Sequence, residues 1–206
     1  MRRKRARVPD RHGHFRRALA RTGVASSDFD LNPEAEVPLP RKLRPAGVLA
    51  AIVEQDGEQM LLLTKRSSAL KHHPGQIAFP GGKLDPGDAD VTAAALREAQ
   101  EEIGLPPELV EVLGTLPPHE TVTSFEVTPV VGIVKAPFRI VPEAGEVAEV
   151  FTVPLSHVLN PENYMVHSRR WRGKRRYYYV VPYGPYYIWG ATARMLRTWA
   201  DRMTST

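Results

Sequence analysis

Two apolar runs, AGVLAAIV (Ala46–Val53) and QMLLLTKR (Gln59–Arg66), flank the polar, glycine-containing stretch Gln55–Glu58, a pattern that predicts a β-hairpin. QIAFP (Gln76–Pro80) predicts a short strand running into a Gly-Gly turn. The segment DVTAAALREAQEEIG (Asp90–Gly104) repeats its apolar positions at helical spacing. Asp88 or Asp90 can cap its start, Gly104 stands where a helix stops, and Pro106 and Pro107 prevent continuation. Strands are expected at Val110–Thr115, Glu126–Lys135 and Glu149–Val153. Asn163–Arg170 and Arg175–Val181 can pair across a basic turn. Ile188–Met203 places Ala191, Met195 and Trp199 on one side of a terminal helix. Mixed strands with two principal helices imply an α/β fold, an α/β/α sandwich.

Residues 1–45 break this rhythm. Basic residues come first, with a short helix expected around Phe15 to Arg21, and Pro33, Pro38, Pro40 and Pro45 follow. This predicts an N-terminal arm over 1–45, either a linker or an extended arm laid on the body, and a body over 46–206. A chain of 206 residues is long enough for one domain with a sizeable core plus such an appendage. No uninterrupted apolar run approaches 18 residues, so no membrane span is expected. The first residues lack an apolar signal core. The chain has no cysteine, which excludes disulfides, thiolate metal sites and a cysteine nucleophile. These features together predict a cytoplasmic protein.

The net charge of +5 is unevenly spread: residues 1–22 hold nine Lys or Arg against one acid, Asp10, and RRWRGKRR spans Arg169–Arg176. Such clusters favour anionic partners, namely phosphorylated metabolites, nucleic acid or anionic lipid, although charge runs also serve simply as solvated surface. Trp171 within the second cluster has the composition of a nucleic-acid surface, and packing of that ring at a hairpin tip is the expected alternative.

The predicted helix at Asp90–Gly104 carries the clearest chemistry. Positions three and four apart share a helix face, so Glu98, Glu101 and Glu102 project together, while Leu96, Ala99 and Ile103 can face a core. Clustered carboxylates repel one another unless cations intervene. Arg97 can pair with Glu101 but cannot neutralise three acids. Hard divalent cations take oxygen ligands of this kind and bridge them to phosphate. An acidic helix face alone would equally be a solvated one. The preceding FPGGKLDPGD (Phe79–Asp88) shifts the balance, because it is a compact glycine- and proline-rich loop that delivers the chain into the acidic helix.

These residues resemble the signature of the Nudix hydrolase family. Gly82, Asp88 after five intervening residues, then Arg97, Glu98, Glu101, Glu102, Gly104 and Leu105 follow its pattern. There are two departures: Asp88 stands where Glu is usual, and eight residues rather than seven precede Arg97. LLTKRSSALKHHPGQIAFPGG (Leu62–Gly82) resembles the additional motif of the coenzyme A pyrophosphatase branch, with Lys71 in place of its second Arg. That exchange keeps charge and loses forked bonding to phosphate. Leu116–Val134, Glu146–Leu155 and Ile188–Arg197 also look like that branch, so the likeness covers about residues 46–200.

The resemblance implies a Nudix-type α/β/α sandwich with a mixed β-sheet, dependence on Mg²⁺ or Mn²⁺, and cleavage of coenzyme A or acyl-coenzyme A to 4′-phosphopantetheine and 3′,5′-ADP. It implies Glu98 and Glu102 as primary metal ligands and Glu101 as a third ligand or the group that orients or deprotonates water. Glu146 is the alternative base or an outer metal ligand, and Gly82 offers a backbone carbonyl or close approach to the metal. Arg97 is expected to tie the glycine loop to the helix, with Gly81 a turn residue. Arg66 and Lys71 are the candidates for phosphate contact, either of which near the 3′-phosphate would favour coenzyme A. His72, His73 and His119 are expected to be loop residues. Two other readings stay open: hydrolysis of another nucleoside diphosphate derivative (ADP-ribose, a dinucleotide or capped RNA), and a non-catalytic scaffold that binds nucleotide or nucleic acid, the latter through the basic arm. A homodimer is open as an assembly state.

Overall fold

The computed structural model describes residues 10–35, 41–171 and 173–204. Most of the basic N-terminal run, Pro38, Pro40 and Arg172 therefore lie outside the described residues. In chain order the elements are α1 (Gly13–Ala20), β1 (Ser26–Ser27), β2 (Arg44–Gln55), β3 (Glu58–Arg66), β4 (Ile77–Ala78), β5 (Gly81–Lys83), α2 (Val91–Ile103), β6 (Val110–Thr115), β7 (His119–Glu120), β8 (Phe125–Val134), β9 (Val147–Pro154), α3 (Leu155–Val158), β10 (Met165–Trp171), β11 (Lys174–Val180) and α4 (Gly190–Thr204).

Among the described residues β1–β9 form one mixed sheet, with the path β1-β7-β8-β2-β3-β4. β2 runs parallel to β8 and antiparallel to β3 and β5, and β3 pairs antiparallel with β9. Alternation along β2 explains the two layers around this sheet. Ala46, Ala50 and Ile52 point into the larger core, which Phe15 and Leu19 of α1 and Leu196 and Trp199 of α4 complete. Leu49 and Ala51 point the other way, into a smaller core closed by Ala95, Ala99 and Ile103 of α2. Successive strand side chains oppose one another, so one apolar strand supplies both faces of an α/β/α sandwich. No helix among the described residues is long and apolar enough to cross a membrane.

Several expectations need correction. Gly81 and Gly82 do not form a turn: they lie in β5, where Gly82 pairs with Gly47 and Gly81 with Val48. The terminal helix begins at Gly190, because Trp189 is engaged in a bridge to Val180. Of the two forms open to the N-terminal segment, residues 13–32 take the one laid on the body, more deeply than an extended arm would be. Phe15 is 1% exposed, its ring centroid is 6.0 Å from that of Trp199, and the Arg202 guanidinium donates to the carbonyls of Ala18 and Leu19. β1 joins the sheet beside β7, and Asn32 clasps β11 by accepting from the Tyr177 N–H at 2.8 Å and donating to its carbonyl at 2.9 Å. The apolar residues of α1 are too sparse in sequence to announce a core helix, yet they are the ones it buries. His119 is no loop residue either. It is a fully buried member of β7, with Nδ1 2.9 Å from Ser26 Oγ and Nε2 3.1 Å from Asp28 Oδ1. Trp171 is not packed away: it stays 40% exposed.

Candidate active site

α2 starts at Asp90, whose carboxylate accepts the Thr92 and Ala93 N–H groups at 2.8 and 2.9 Å, satisfying donors that a helix start would otherwise orphan. Asp88 is thereby free for another task. Its two oxygens accept Nε and Nη2 of Arg97, both at 2.9 Å, in the forked geometry that suits guanidinium to carboxylate. The hydrogen bond from Arg97 holds the Asp88 carboxyl below the ordinary carboxylate range and pushes Arg97 itself up. Arg97 Nη2 also reaches the Lys83 carbonyl at 3.3 Å, and Nη1 donates to Glu98 at 3.0 Å and Glu101 at 2.9 Å. One side chain thus spans the β5 loop and the acidic face of α2.

The three glutamates that helical spacing groups together occupy three different environments. The Glu101 side chain is 59% exposed and bound to Arg97. The Glu98 side chain is 16% exposed, and burial pushes its carboxyl up against the opposing hydrogen bond of Arg97, with the charges of Glu101 and Glu146 adding to the rise. Glu102 is 5% exposed. Burial pushes its carboxyl up to about 7, while the Gly81 N–H, which donates to Oε2 at 3.2 Å, and the charge of Arg66 pull the other way. Glu98 and Glu146 again raise it.

Two neighbouring segments close on this helix. Arg66 ends β3, and its Nε is buried without a hydrogen-bond partner. The loop bearing Glu146 is fixed at several points. The Glu143 N–H donates to the Glu102 carbonyl, the Ser67 N–H donates to the Glu146 carbonyl, and Val147 pairs with Arg66. Lys71 is set apart on the exposed loop pinched off by the backbone bonds of Arg66 with Gly75 and Gln76, and His72 and His73 share that loop. Gly82 lies beside Glu98 so closely that a Cβ there would fall inside the carboxylate's van der Waals surface, and a Cβ on Gly47 would strike the Val91 carbonyl. These paired glycines let α2 lie low on the sheet.

Sequence reasoning missed Gly47, which carries no motif, and the Gly81 N–H, whose role depends on β5 being a strand. Asp88 departs from the family pattern in residue type and in its distance from Arg97, and the longer loop still brings the shorter acid onto Arg97.

Among the described residues, no three acidic or imidazole side chains converge into a closed metal cage; Glu98 and Glu101 are bonded to Arg97 instead. The donor set nevertheless fits a divalent cation held openly. Glu98 and Glu102 are two carboxylates whose charge burial leaves poorly solvated, and Mg²⁺ is commonly bound by one or two carboxylates with water and phosphate oxygens completing the shell.

Residues 43–173 match the family model of the NUDIX domain. An "uncharacterized Nudix hydrolase NudL" from Enterobacter sp. (strain 638) is 46% identical over 154 residues, covering 75% of this chain and 80% of that protein. The protein of the same description from Citrobacter koseri is 47% identical with the same coverage. Among solved structures, the MutT protein from Methanosarcina mazei Go1 is similar with a TM-score of 0.51 and 20% identity, over 81% of this chain and 96% of that one. At that identity the likeness speaks to the fold alone.

Proposed function

The chain belongs to the NUDIX domain family and is a Nudix hydrolase, and from that premise we propose that it cleaves the diphosphate of coenzyme A or acyl-coenzyme A, giving 4′-phosphopantetheine and 3′,5′-ADP. The observation that carries this reading is the joining of two sequence motifs at one carboxylate. The Leu62–Gly82 segment, which resembles the coenzyme A pyrophosphatase motif, brings both the Arg66 charge and the Gly81 N–H onto Glu102 of the acidic helix. A guanidinium whose charge reaches that carboxylate is of the residue type that pairs with phosphate oxygens.

Glu98 and Glu102 would hold the divalent cation, Mg²⁺ or Mn²⁺, with Gly82 allowing close approach. When bound, such an ion supplies charge neutralisation for the diphosphate and a water acidified for attack. Arg97 keeps Glu98 and Glu101 in place and locks the β5 loop to α2. Glu101 belongs to this positioning network, since it is largely exposed and tied to Arg97. Glu146, whose charge is felt by both buried carboxylates, is the base. It takes the proton as the water oxygen bonds to one phosphorus, and the bridging oxygen departs with the other phosphate. Arg66 binds the diphosphate, and Lys71, from its exposed loop, the 3′-phosphate.

A substrate panel with product identification tests the reading: coenzyme A, acyl-coenzyme A, 3′-dephospho-coenzyme A, ADP-ribose, a dinucleotide and capped RNA, each with Mg²⁺, with Mn²⁺ and with excess chelator. Coenzyme A or its acyl ester should give the highest kcat/KM, and chelator should abolish turnover reversibly. A higher kcat/KM for ADP-ribose, a dinucleotide or capped RNA overturns the coenzyme A assignment; full turnover after demetallation overturns the metal assignment.

A further inference from the structure

The β10–β11 ribbon stands outside the main sheet and takes no part in the site above. All seven residues of β10 are exposed. Paired residues share a face, and the register sets Arg169 opposite Arg176 and Arg170 opposite Arg175. Like charges directly across a ladder destabilise it, and this ribbon has two such pairs in succession. Residues 165–180 contain no Asp or Glu, and among the described residues none of the four arginines is in an ion pair. Nη1 of Arg176 is buried with no hydrogen-bond acceptor.

Aromatic rings are interleaved with these cations on both faces. Trp171 lies on the face of Arg169 and Arg176, 40% exposed, with the Arg176 guanidinium 4.9 Å from its ring centroid. Tyr177 lies on the face of Arg170 and Arg175, 44% exposed. Arg169 is stacked over Trp189 at 4.5 Å. Guanidinium groups paired on each face of the ribbon, none of them in an ion pair among the described residues, ask for a polyanion. Exposed rings between them ask for flat, unpaired bases, because base stacking tolerates any sequence while the cations track phosphates. A bilayer surface would satisfy the charges but give the rings no planar partner, and a folded protein partner would need an acidic face of matching spacing.

We propose that the β10–β11 hairpin is a binding surface for single-stranded nucleic acid, with Trp171 and Tyr177 as base-stacking positions and Arg169, Arg170, Arg175 and Arg176 as phosphate contacts. The surface is separate from the hydrolytic site and does not depend on which diphosphate that site cleaves.

The test is fluorescence anisotropy of the full chain with labelled dT and rU 12-mers over a series of salt concentrations. The variants are Arg170→Ala/Arg175→Ala, Trp171→Ala, Tyr177→Ala and the control Lys42→Ala/Lys135→Ala. For single strands each phosphate contact contributes about −0.7 to the slope of log K against log salt, so the double arginine variant should lose roughly 1.4 from that slope. Each aromatic variant should bind at least ~5-fold more weakly with an unchanged slope. The control should bind as the parent does. Without oligonucleotide, the double arginine variant should melt at or above the parent temperature, since a like-charge pair is removed. Unchanged oligonucleotide binding in all three hairpin variants overturns the proposal, as does an equal loss in the control, which would mean bulk charge. Hairpin-dependent binding to phosphatidylserine vesicles, or a hairpin-dependent dimer in sedimentation, without oligonucleotide binding overturns it in favour of a membrane or a second copy.

Discussion

At the scale of the residue, Glu102 concentrates the conflict in this site. Its carboxyl is pushed up by burial to about 7, against an ordinary value of about 4.5, so the folded chain binds this proton more tightly than the unfolded chain does. The resulting stabilisation is fully present below about pH 4.5 and is lost as pH rises through about 7. The difference corresponds to about 3 kcal/mol of strain at pH 8 in the metal-free protein. Glu102→Gln keeps the shape and an acceptor for the Gly81 N–H while removing the charge. In chelator, its melting temperature should match the parent's near pH 4.5 and exceed it by roughly 6–12 °C at pH 8, while hydrolysis falls at least ~10²-fold. A melting advantage that does not grow with pH would show that Glu102 is not a strained buried charge. Near-normal turnover would remove it from the chemistry. Arg66 and Lys71 should separate by substrate. Arg66→Ala, beside Glu102, should lower kcat/KM for coenzyme A and 3′-dephospho-coenzyme A alike, by about 10- to 100-fold for a lost charge-assisted bond. Lys71→Ala should narrow only the gap between the two substrates. The reverse pattern would exchange the two roles.

At the scale of the element, the site depends on how low α2 sits over β2 and β5. Gly47 and Gly82 are paired across those strands, but a methyl group would meet different obstacles at each: the Val91 backbone carbonyl at Gly47 and the tip of the Glu98 side chain at Gly82. A carbonyl in a helix cannot step aside, whereas a carboxylate can rotate. Gly47→Ala should therefore cost about 1–3 kcal/mol or more by overpacking, read as a lowered denaturation midpoint. Gly82→Ala should melt close to the parent temperature yet lose at least ~10-fold in turnover, because Glu98 is displaced. Equal effects on stability would mean the two glycines do the same job. This pair also marks how far the sequence could be read. The helix, a cap at Asp88 or Asp90, the β2–β3 hairpin and the acidic cluster were legible because each follows from local periodicity or capping chemistry. Gly47 was not, because its neighbour in space, Val91, is 44 positions away in sequence. The separate environments of Glu98, Glu101 and Glu102 were hidden for the same reason. Spacing puts them on one face, but only the β5 strand and the Glu146 loop determine which part of that face is covered.

At the scale of the whole molecule, the N-terminal region is bound into the body more deeply than the sequence pattern implies. Its charge and prolines predict an arm, and an arm could be removed without harm. Yet Phe15 and Leu19 are buried in the larger core with Trp199, Ser26 and Asp28 are the partners of the fully buried His119, and Asn32 holds β11. Deleting residues 1–40 would open the α4 face of the core and strand the His119 imidazole, since a buried polar group left unpaired costs about 1–3 kcal/mol. Removing the Phe15 ring alone should cost about 3–5 kcal/mol, a large part of the roughly 5–15 kcal/mol that holds an ordinary domain folded. Phe15→Ala should therefore lower the melting temperature by on the order of 10 °C while leaving kcat near the parent value at a temperature where it is folded, because α1 lies across the sheet from the acidic helix. The 1–40 deletion should lose its cooperative unfolding transition altogether and, with it, hydrolysis. A deleted chain that still melts cooperatively near the parent temperature, or a Phe15→Ala variant with an unshifted transition, would mean that the body folds independently of this segment and that α1 only rests on a finished domain.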